Sequence, residues 1–369
     1  MRLAILGARG IPARYGGFET FAERVGIGLH DQGVDVTVFC EAGGSSMPAL
    51  WQGVNLRYVP APSLGPLKTI LYDARCLWAA RKGYDIVYML GYGAAPFCLI
   101  PRIWGTEVWI NPDGLEWARA KWGILAKNYF RMMEWATMRV ANRVIADAES
   151  IAASLASRHG KSSKCTVIAY GGDVIDNPPS LDLLVRWSIT PGNYYLVVSR
   201  LEPENHVLEI VEGFEASHSS LPLLILGNIE RPNTYVRTLL AKKSERIRFL
   251  GTVFDLEQLT ALRYHAKVYL HGHSVGGTNP SLLEAMACSN LVIAHDNPFN
   301  REVLDGGGLF FQSVMELKDH IDAIDAGKVD CDELRAAASS RLRKRYRWDQ
   351  IVDAYLELLS DKPKSPVSS

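Results

Sequence analysis

The run HGHSVGGTNPSLLEAMA, residues 271–287, has the most specific chemical pattern in the sequence. A predicted strand ends in a glycine turn, and Pro280 fits the first turn of a following helix, with Thr278 or Asn279 as its cap. Backbone N–H groups at a helix N-terminus attract anions. The segment therefore predicts an anion site with contributions from these residues: Gly276, Gly277, Thr278, Asn279, Pro280 and Ser281.

Glu284 lies one turn inside that predicted helix, among apolar residues. A carboxylate in such surroundings needs a hydrogen-bonding partner. Sugar hydroxyl groups would serve, and a nearby arginine is the alternative. His271 and His273 alternate at the end of the preceding strand. Because they lack a nearby third metal ligand, we interpret them as histidines satisfied by hydrogen bonds.

Arg200 follows another predicted strand, in the run SRLEPEN at residues 199–205. In parallel α/β sheets, ligands bind at the carboxyl ends of the strands. The planar guanidinium group can donate two hydrogen bonds to a diphosphate. Arg200 is therefore a candidate phosphate ligand, and a surface arginine that caps a loop is the alternative.

Two carboxylates three residues apart, Asp113 and Glu116, follow a third predicted strand in the run NPDGLEWARAKW. Such a pair can hold and activate a sugar hydroxyl group, and Trp117 offers an aromatic face on which a sugar ring can stack. An Asp–Gly turn that leads into a helix explains the same residues equally well.

A long glycine-rich loop, residues 7–17, joins the first predicted strand to the first predicted helix. Its glycines would let backbone N–H groups near Gly16 and Gly17 approach an anion, and Arg14 could add positive charge. The spacing is not GxGxxG, so the dinucleotide fingerprint of dehydrogenases is not met. Turn formation alone is the alternative explanation.

The elements that must position these residues alternate between short β-rich runs and helical patterns, which is typical of parallel α/β sheets. We predict two Rossmann-like, doubly wound domains that face a central cleft at the carboxyl ends of both sheets. The predicted segments are a first domain (1–175), a linker rich in Pro and Asx residues (176–193), a second domain (194–345), a C-terminal helix crossing back to the first domain (346–360) and a flexible tail (361–369).

The composition excludes several classes of protein. With 48% hydrophobic and 22% charged residues, the chain is too apolar for a disordered protein. The 40 Lys+Arg balance 40 Asp+Glu, which argues against a general nucleic-acid binder. No uninterrupted apolar stretch predicts a membrane span, and the six cysteines form no CxxC pair. These features predict a cytoplasmic protein.

The predicted helix over residues 123–141 interleaves basic and aromatic side chains. Residues 1–175 carry 19 Lys+Arg against 14 Asp+Glu, so the first half is the basic one. This composition suits the surface of an anionic membrane. A core-packing helix with a solvated basic edge is an equally good explanation.

Taken together, these segments resemble the retaining glycosyltransferases of family 4, which have the GT-B fold. More narrowly, they resemble the bacterial rhamnosyltransferase-type group of cell-surface polysaccharide synthesis. The matching runs are GARGIPARYGGFET, DGLEW and GGTNPSLLEAM. The resemblance covers nearly the whole chain. It implies transfer of a sugar from a nucleoside diphosphate donor, such as dTDP-rhamnose, with retention and without a metal ion or other cofactor.

The resemblance also implies roles for the residues above. Arg200, Asp113 and Glu116 would be catalytic, and Glu284 would hold the ribose of the donor. The donor would further contact Gly16 and Gly17 together with the segment 276–281. The acceptor would be a glycan or a polyprenyl-diphosphate-linked sugar at the inner face of the plasma membrane. It would contact the following residues: Arg14, Tyr15, Asp113, Glu116 and Trp117.

Two positions depart from the broad family. Its Glu-x(7)-Glu pattern has Gly276 in place of the first glutamate, and its Arg-x(4)-Lys pattern has Asn205 in place of the lysine. Two other functions stay open beside a glycosyltransferase, and the two departures bear on the second of them. One is a nucleotide-sugar epimerase on the same fold, and the other is a non-catalytic subunit that binds sugar nucleotides.

Overall fold

The computed structural model describes residues 1–13, 16–43, 47–63, 65–160, 164–230 and 232–361. The chain divides into two compact units. Unit 1 comprises residues 1–113, residues 128–171 and the chain from Trp348 onwards, and unit 2 comprises residues 114–127 and 172–347.

Unit 1 is built on one parallel sheet with a short antiparallel edge. Its strands are β1 (Arg2–Leu6), β2 (Asp35–Ala42), β3 (Leu50–Trp51), β4 (Val54–Pro60), β5 (Ile86–Leu90), β6 (Glu107–Asn111), β7 (Arg143–Ala146) and β8 (Cys165–Val167). Over the described residues, the strand order is β3-β4-β2-β1-β5-β6-β7-β8, and β3 pairs with β4 in the antiparallel direction. The helices are α1 (Gly17–Asp31), α2 (Lys68–Ala79), α3 (Leu99–Ile103), α4 (Ile124–Val140), α5 (Glu149–His159) and the last helix of the chain, α13 (Trp348–Ser360). The first four residues of α4 belong to unit 2 and the rest to unit 1.

Unit 2 is built on a second sheet, all of whose described pairings are parallel. Its strands are β9 (Tyr195–Val198), β10 (Leu223–Leu226), β11 (Ile247–Gly251), β12 (Val268–His271), β13 (Leu291–His295) and β14 (Leu309–Phe311), in the order β11-β10-β9-β12-β13-β14. The helices are α6 (Val207–Ala216), α7 (Thr234–Ala241), α8 (Leu256–Tyr264), α9 (Pro280–Ala287), α10 (Pro298–Leu304), α11 (Val314–Asp325) and α12 (Cys331–Arg345).

Interior strands of both sheets contain runs of buried apolar residues. In β1 the residues from Leu3 to Leu6 are all buried, and in β10 all four residues are buried. Parallel strands need apolar side chains on both sides because helices cover both faces of the sheet. The predicted class of two parallel α/β sheets is confirmed.

The last helix, which the sequence predicts to return to the first domain, packs against α1. Gly28 of α1 leaves room for Val352 of α13, since a Cβ atom at Gly28 would lie 2.5 Å from Val352 Cγ2. The hydroxyl groups of Tyr88 in β5 and Tyr355 in α13 are 2.8 Å apart and share a hydrogen bond. Helix α13 is therefore part of the core of unit 1.

The structure places the predicted linker, residues 176–193, inside unit 2. A 3-10 helix, Leu181–Trp187, packs against α8 and buries Leu184. Arg248 donates a hydrogen bond to the carbonyl group of Trp187 at 2.6 Å. The prolines and Asx residues do interrupt regular structure there, but long-range packing still fixes the segment.

A second segment also differs from the predicted domain boundaries. Residues 114–127, assigned by sequence to the first domain, belong to unit 2.

Among the helices of the described residues, none combines the length and the hydropathy that a membrane span requires.

Candidate functional site

The carboxyl edge of the unit 2 sheet brings together two of the predicted segments. β9 and β12 are neighbouring parallel strands, so the loops that follow them leave the sheet side by side. The Ser281 hydroxyl group, in the first turn of α9, donates to the carbonyl of Val198 at the end of β9 at 3.1 Å. The start of α9 is thereby tied to the strand that precedes Arg200.

The helix start predicted from the sequence is confirmed. α9 begins at Pro280, and the Oδ1 atom of Asn279 accepts a hydrogen bond from the Ser281 N–H group at 3.0 Å. Gly276 has a φ of 148°, a conformation that residues with side chains rarely adopt. Thr278 is buried. The turn that precedes α9 therefore needs its glycine, and Asn279, rather than Thr278, is the cap.

Arg263 of α8 is the partner of Glu284. Its Nη2 atom lies 2.5 Å from Glu284 Oε2, and the exposed side-chain fractions are 4% for the arginine and 47% for the glutamate. The arginine alternative weighed from the sequence is thus realised. The guanidinium group is buried and needs a carboxylate, whereas the carboxylate itself reaches solvent. A role of Glu284 on a ribose stays a prediction.

The hydroxyl group of Ser281 belongs to the same network. It lies 2.7 Å from the Tyr269 hydroxyl group and 3.2 Å from Arg263 Nη2. With the bond to Val198 already noted, these contacts engage the hydroxyl group within the protein. Ser281 therefore supports the arrangement of Arg263 and Glu284, and its predicted contact with a ligand stays untested.

Arg200 is exposed, and in the described part of the chain its guanidinium group has no hydrogen bond or ion pair. Its backbone is held instead: the buried Asn205 donates from Nδ2 to the carbonyl of Arg200 at 2.6 Å. Asn205, which replaces the lysine of the broad family, thus holds the loop that carries Arg200. An arginine with an open guanidinium group on a fixed loop can bind an anion bidentately.

His271 contradicts the interpretation of both strand-end histidines as satisfied residues. It is 1% exposed, and within the described residues neither of its ring nitrogens has a hydrogen-bond partner. The same holds for Nδ1 of His273. Burial, followed by the charge of His295, lowers the pKa of His271 to about 3. The ring is therefore neutral at ordinary pH. No pattern in the sequence indicates that its nitrogens lack hydrogen-bond partners among the described residues.

The carboxylate of Glu116 holds its own segment together. Trp122 donates from Nε1 to Glu116 Oε1 at 2.8 Å, and Arg119 Nε lies 2.5 Å from Oε2. Lys121 adds a more distant charge at 3.8 Å. These contacts form a clasp that ties Glu116 to the residues that follow it in the chain. The predicted role of Glu116 on a sugar hydroxyl group stays a prediction.

The clasped segment lies directly against the turn before α9. A Cβ atom placed on Gly114 would be 2.5 Å from the Cα atom of Gly276. Two runs that the sequence assigns to different domains are thus in backbone contact within unit 2. This contact explains why residues 114–127 are part of that unit.

We expect the substitution Gly114→Ala to separate these two backbones and to cost about 1–3 kcal/mol of unfolding free energy, as overpacking does. Denaturant unfolding measures the loss. Gly123→Ala is the matched control, because a Cβ atom there meets nothing within 4 Å. Equal stability of the two variants would contradict the contact.

Other predicted site residues lie elsewhere. Asp113 belongs to unit 1, has a left-handed φ of 56° and donates its N–H group to Asn111 Oδ1 at 2.7 Å. Trp117 is half-buried in a short 3-10 helix of unit 2. Arg14 and Tyr15 lie outside the described residues. The structure thus assigns the predicted acceptor residues Asp113 and Trp117 to different units.

The glycine-rich loop of unit 1 binds a carboxylate of its own chain. Gly16 precedes α1, which begins at Gly17, and Glu19 Oε1 accepts a hydrogen bond from the Arg9 N–H group at 2.9 Å. A Cβ atom on Gly16 would lie 2.2 Å from Glu19 Oε2. In this structure the anion bound by the loop is the carboxylate of Glu19. A contact of Gly16 or Gly17 with a sugar-nucleotide donor stays a prediction.

No group of three or more His, Cys, Asp or Glu side chains among the described residues is arranged to hold a metal ion. All six cysteines are free thiols.

Family models match both halves of the chain. Residues 1–173 match the family described as Domain of unknown function (DUF1972), and residues 187–345 match Glycosyl transferases group 1. No curated protein sequence matches the chain. Each match covers less than half of the chain, and the match to glycosyl transferases lies in the second half.

Solved structures share the fold at low sequence identity. Sucrose-phosphate synthase from Thermosynechococcus elongatus has a TM-score of 0.81 at 16% identity, over 98% of this chain and 100% of that one. Anabaena HepE in complex with UDP has a TM-score of 0.77 at 17% identity, with the same coverage. HepE in complex with UDP-glucose has a TM-score of 0.75 at 16% identity, again with 98% and 100% coverage. The predicted GT-B fold is confirmed.

Proposed function

We propose that this chain is a glycosyltransferase that moves a sugar from a nucleoside diphosphate donor bound on unit 2. The observation that carries the proposal is the exposed guanidinium group of Arg200, on the loop after the strand to which the start of α9 is hydrogen-bonded, within the region that matches glycosyl transferases group 1. A cationic fork and a helix N-terminus at one sheet edge suit a diphosphate. HepE structures contain UDP and UDP-glucose, so UDP-glucose is the first donor to test beside dTDP-rhamnose.

The chemistry we propose needs charge stabilisation on the leaving diphosphate. Arg200 and the N–H groups at the start of α9 would supply that charge without a metal ion, and preorganised donors of this kind are commonly worth about 3–4 kcal/mol each. Glu284 would hold the ribose, with Arg263 fixing one of its oxygens. Since Glu116 is engaged by three donors, we propose attack from the leaving-group side, with retention and with no glycosyl-enzyme intermediate.

A transfer assay tests the proposal. The chain is incubated with UDP-glucose or dTDP-rhamnose and a lipid-linked sugar acceptor, with and without EDTA, and the glycan product and its anomeric configuration are analysed. Sugar transfer with retained anomeric configuration, at the same rate with and without EDTA, supports the proposal. An isomerised donor sugar without transfer would identify an epimerase instead, and donor binding without turnover would identify a non-catalytic subunit.

For the acceptor we propose a glycan or polyprenyl-diphosphate-linked sugar used in cell-surface polysaccharide synthesis at the inner face of the plasma membrane. Support comes from an exposed surface on unit 1 formed by α2, α3 and α4. Trp78, Trp104 and Trp135 are 56%, 51% and 50% exposed. Tryptophan and basic residues together are typical of membrane interfaces.

A cation lies over the ring of each of these tryptophans, and for Trp135 it is Arg139, at 3.6 Å. Arg81 lies 4.5 Å from the ring of Trp78, and Lys82 lies 4.0 Å from the ring of Trp104. α3 and α4 are joined by Arg102, which donates to the carbonyl of Val140 at 2.5 Å. The surface therefore pairs apolar rings with positive charge, which is complementary to anionic lipid headgroups.

We expect the double variant Trp78→Ser, Trp104→Ser to lose most of its binding to anionic vesicles, because the rings supply the apolar contact. Flotation with phosphatidylglycerol vesicles at low and high salt measures binding, which should weaken with salt as exposed charges are screened. Phe254→Ser, at a residue of unit 2 that is 75% exposed, is the control. A wild-type chain that does not float at low salt would contradict the membrane proposal.

A further inference from the structure

Tyr269 and His271 of β12, together with His273 two residues beyond the strand, form a column of rings. The ring centroids of Tyr269 and His271 are 6.0 Å apart, and those of His271 and His273 are 4.7 Å apart with an interplanar angle of 16°. Tyr269, at the inner end, is hydrogen-bonded to Ser281 in the first turn of α9. His273, at the outer end, is only partly buried. The column thus runs from Tyr269, which contacts the start of α9, to His273 beyond the carboxyl end of β12.

The backbone of His273 is held in place by side chains at the start of α10. Its carbonyl accepts hydrogen bonds from Asn297 Nδ2 and from Asn300 Nδ2, both at 2.9 Å. The buried Asn300 also donates to the carbonyl of His295 at 2.8 Å. Two amide side chains at the start of α10 therefore fix one backbone position, while the ring nitrogen Nδ1 of His273 has no partner among the described residues.

The charges around His273 favour a neutral ring. Burial lowers its pKa well below the usual value, and His271, Arg200 and Arg119 lower it further. A neutral imidazole keeps one N–H donor and adds no positive charge that would repel the neighbouring arginines. An anion beside Arg200 and Arg119 could therefore accept a hydrogen bond from His273 as well.

We propose that His273 donates a hydrogen bond to a phosphate oxygen of the nucleoside diphosphate, beside Arg200, and that Asn297 and Asn300 position it. The unpartnered His271 ring forms the floor against which His273 stacks. This inference rests on the proposed function, since it takes the same donor as its ligand. It adds a phosphate ligand three residues before Gly276, the position at which the glutamate of the broad family is absent.

Binding of truncated nucleotides tests the role of His273. Calorimetry first identifies which of UDP, dTDP and GDP the wild-type chain binds best, and that diphosphate is then compared with its nucleoside. His273→Ala should weaken the diphosphate roughly tenfold to a hundredfold, the size of a lost hydrogen bond to a charged group, and leave the nucleoside unchanged. His273→Asn, which retains an N–H donor, should recover part of the loss.

Controls separate this role from a structural one. His218→Ala, at an exposed histidine paired with Asp322, should bind like the wild type. If His273→Ala fails to fold, Asn297→Ala serves in its place and should weaken the diphosphate alone. An unchanged diphosphate affinity in His273→Ala, or an equal loss for the nucleoside, overturns the inference while a loss in Arg200→Ala upholds the proposed function. A wild-type chain that binds none of the three diphosphates overturns both.

Discussion

Replacing Arg200 with alanine is expected to lower the turnover of sugar transfer by about a hundredfold or more, because a preorganised cationic donor in an active site commonly contributes that much. The side chain is exposed and makes no hydrogen bond or ion pair in the described part of the chain, so its removal breaks no such bond. The unfolding free energy should therefore stay close to that of the wild type. Steady-state release of the nucleoside diphosphate, together with denaturant unfolding, measures both quantities.

Two variants sharpen this test. Arg200→Lys should fall between wild type and alanine, since an ammonium group keeps the charge but loses the planar fork. Arg237→Ala removes another exposed arginine of unit 2 and should leave turnover unchanged. Near-normal turnover of Arg200→Ala would mean that the diphosphate is held elsewhere.

Glu284→Ala is expected to lose both stability and donor affinity. The guanidinium group of Arg263 is almost completely buried and would be left without its carboxylate. Uncompensated buried charges cost about 3–5 kcal/mol, and because water reaches the Glu284 side of the pair we expect about 2–3 kcal/mol here. Denaturant unfolding measures this loss, and calorimetry with UDP or dTDP measures the loss of donor affinity.

A second substitution separates the two effects. In the double variant Arg263→Met, Glu284→Ala, neither charge remains, and most of the stability should return because an apolar side chain of similar length replaces the arginine. Donor affinity should stay low if the Glu284 carboxylate contacts the ribose. Recovery of donor affinity along with stability would show that Glu284 serves only as the partner of Arg263.

Local patterns in the sequence were sufficient to predict the two parallel sheets and the start of α9. Buried parallel strands are covered on both faces, so their apolar residues follow one another without interruption, as in β1 and β10. A cap and a proline act on the N–H groups of the next few residues, and Asn279 and Pro280 therefore predict the start of α9 correctly. The position of Arg200 at the end of β9 follows from the same local reasoning.

Contacts between residues far apart in the chain could not be predicted in this way. Local periodicity alone cannot show that Arg263, on the preceding helix, would be the buried partner of Glu284. Nor does it show that the clasp around Glu116 lies against Gly276 through Gly114. The order of residues along the chain thus determined which elements form and which groups stand at their ends. Only the tertiary structure decided which of those groups are already bound by the protein, because pairing depends on packing across elements that share no sequence pattern.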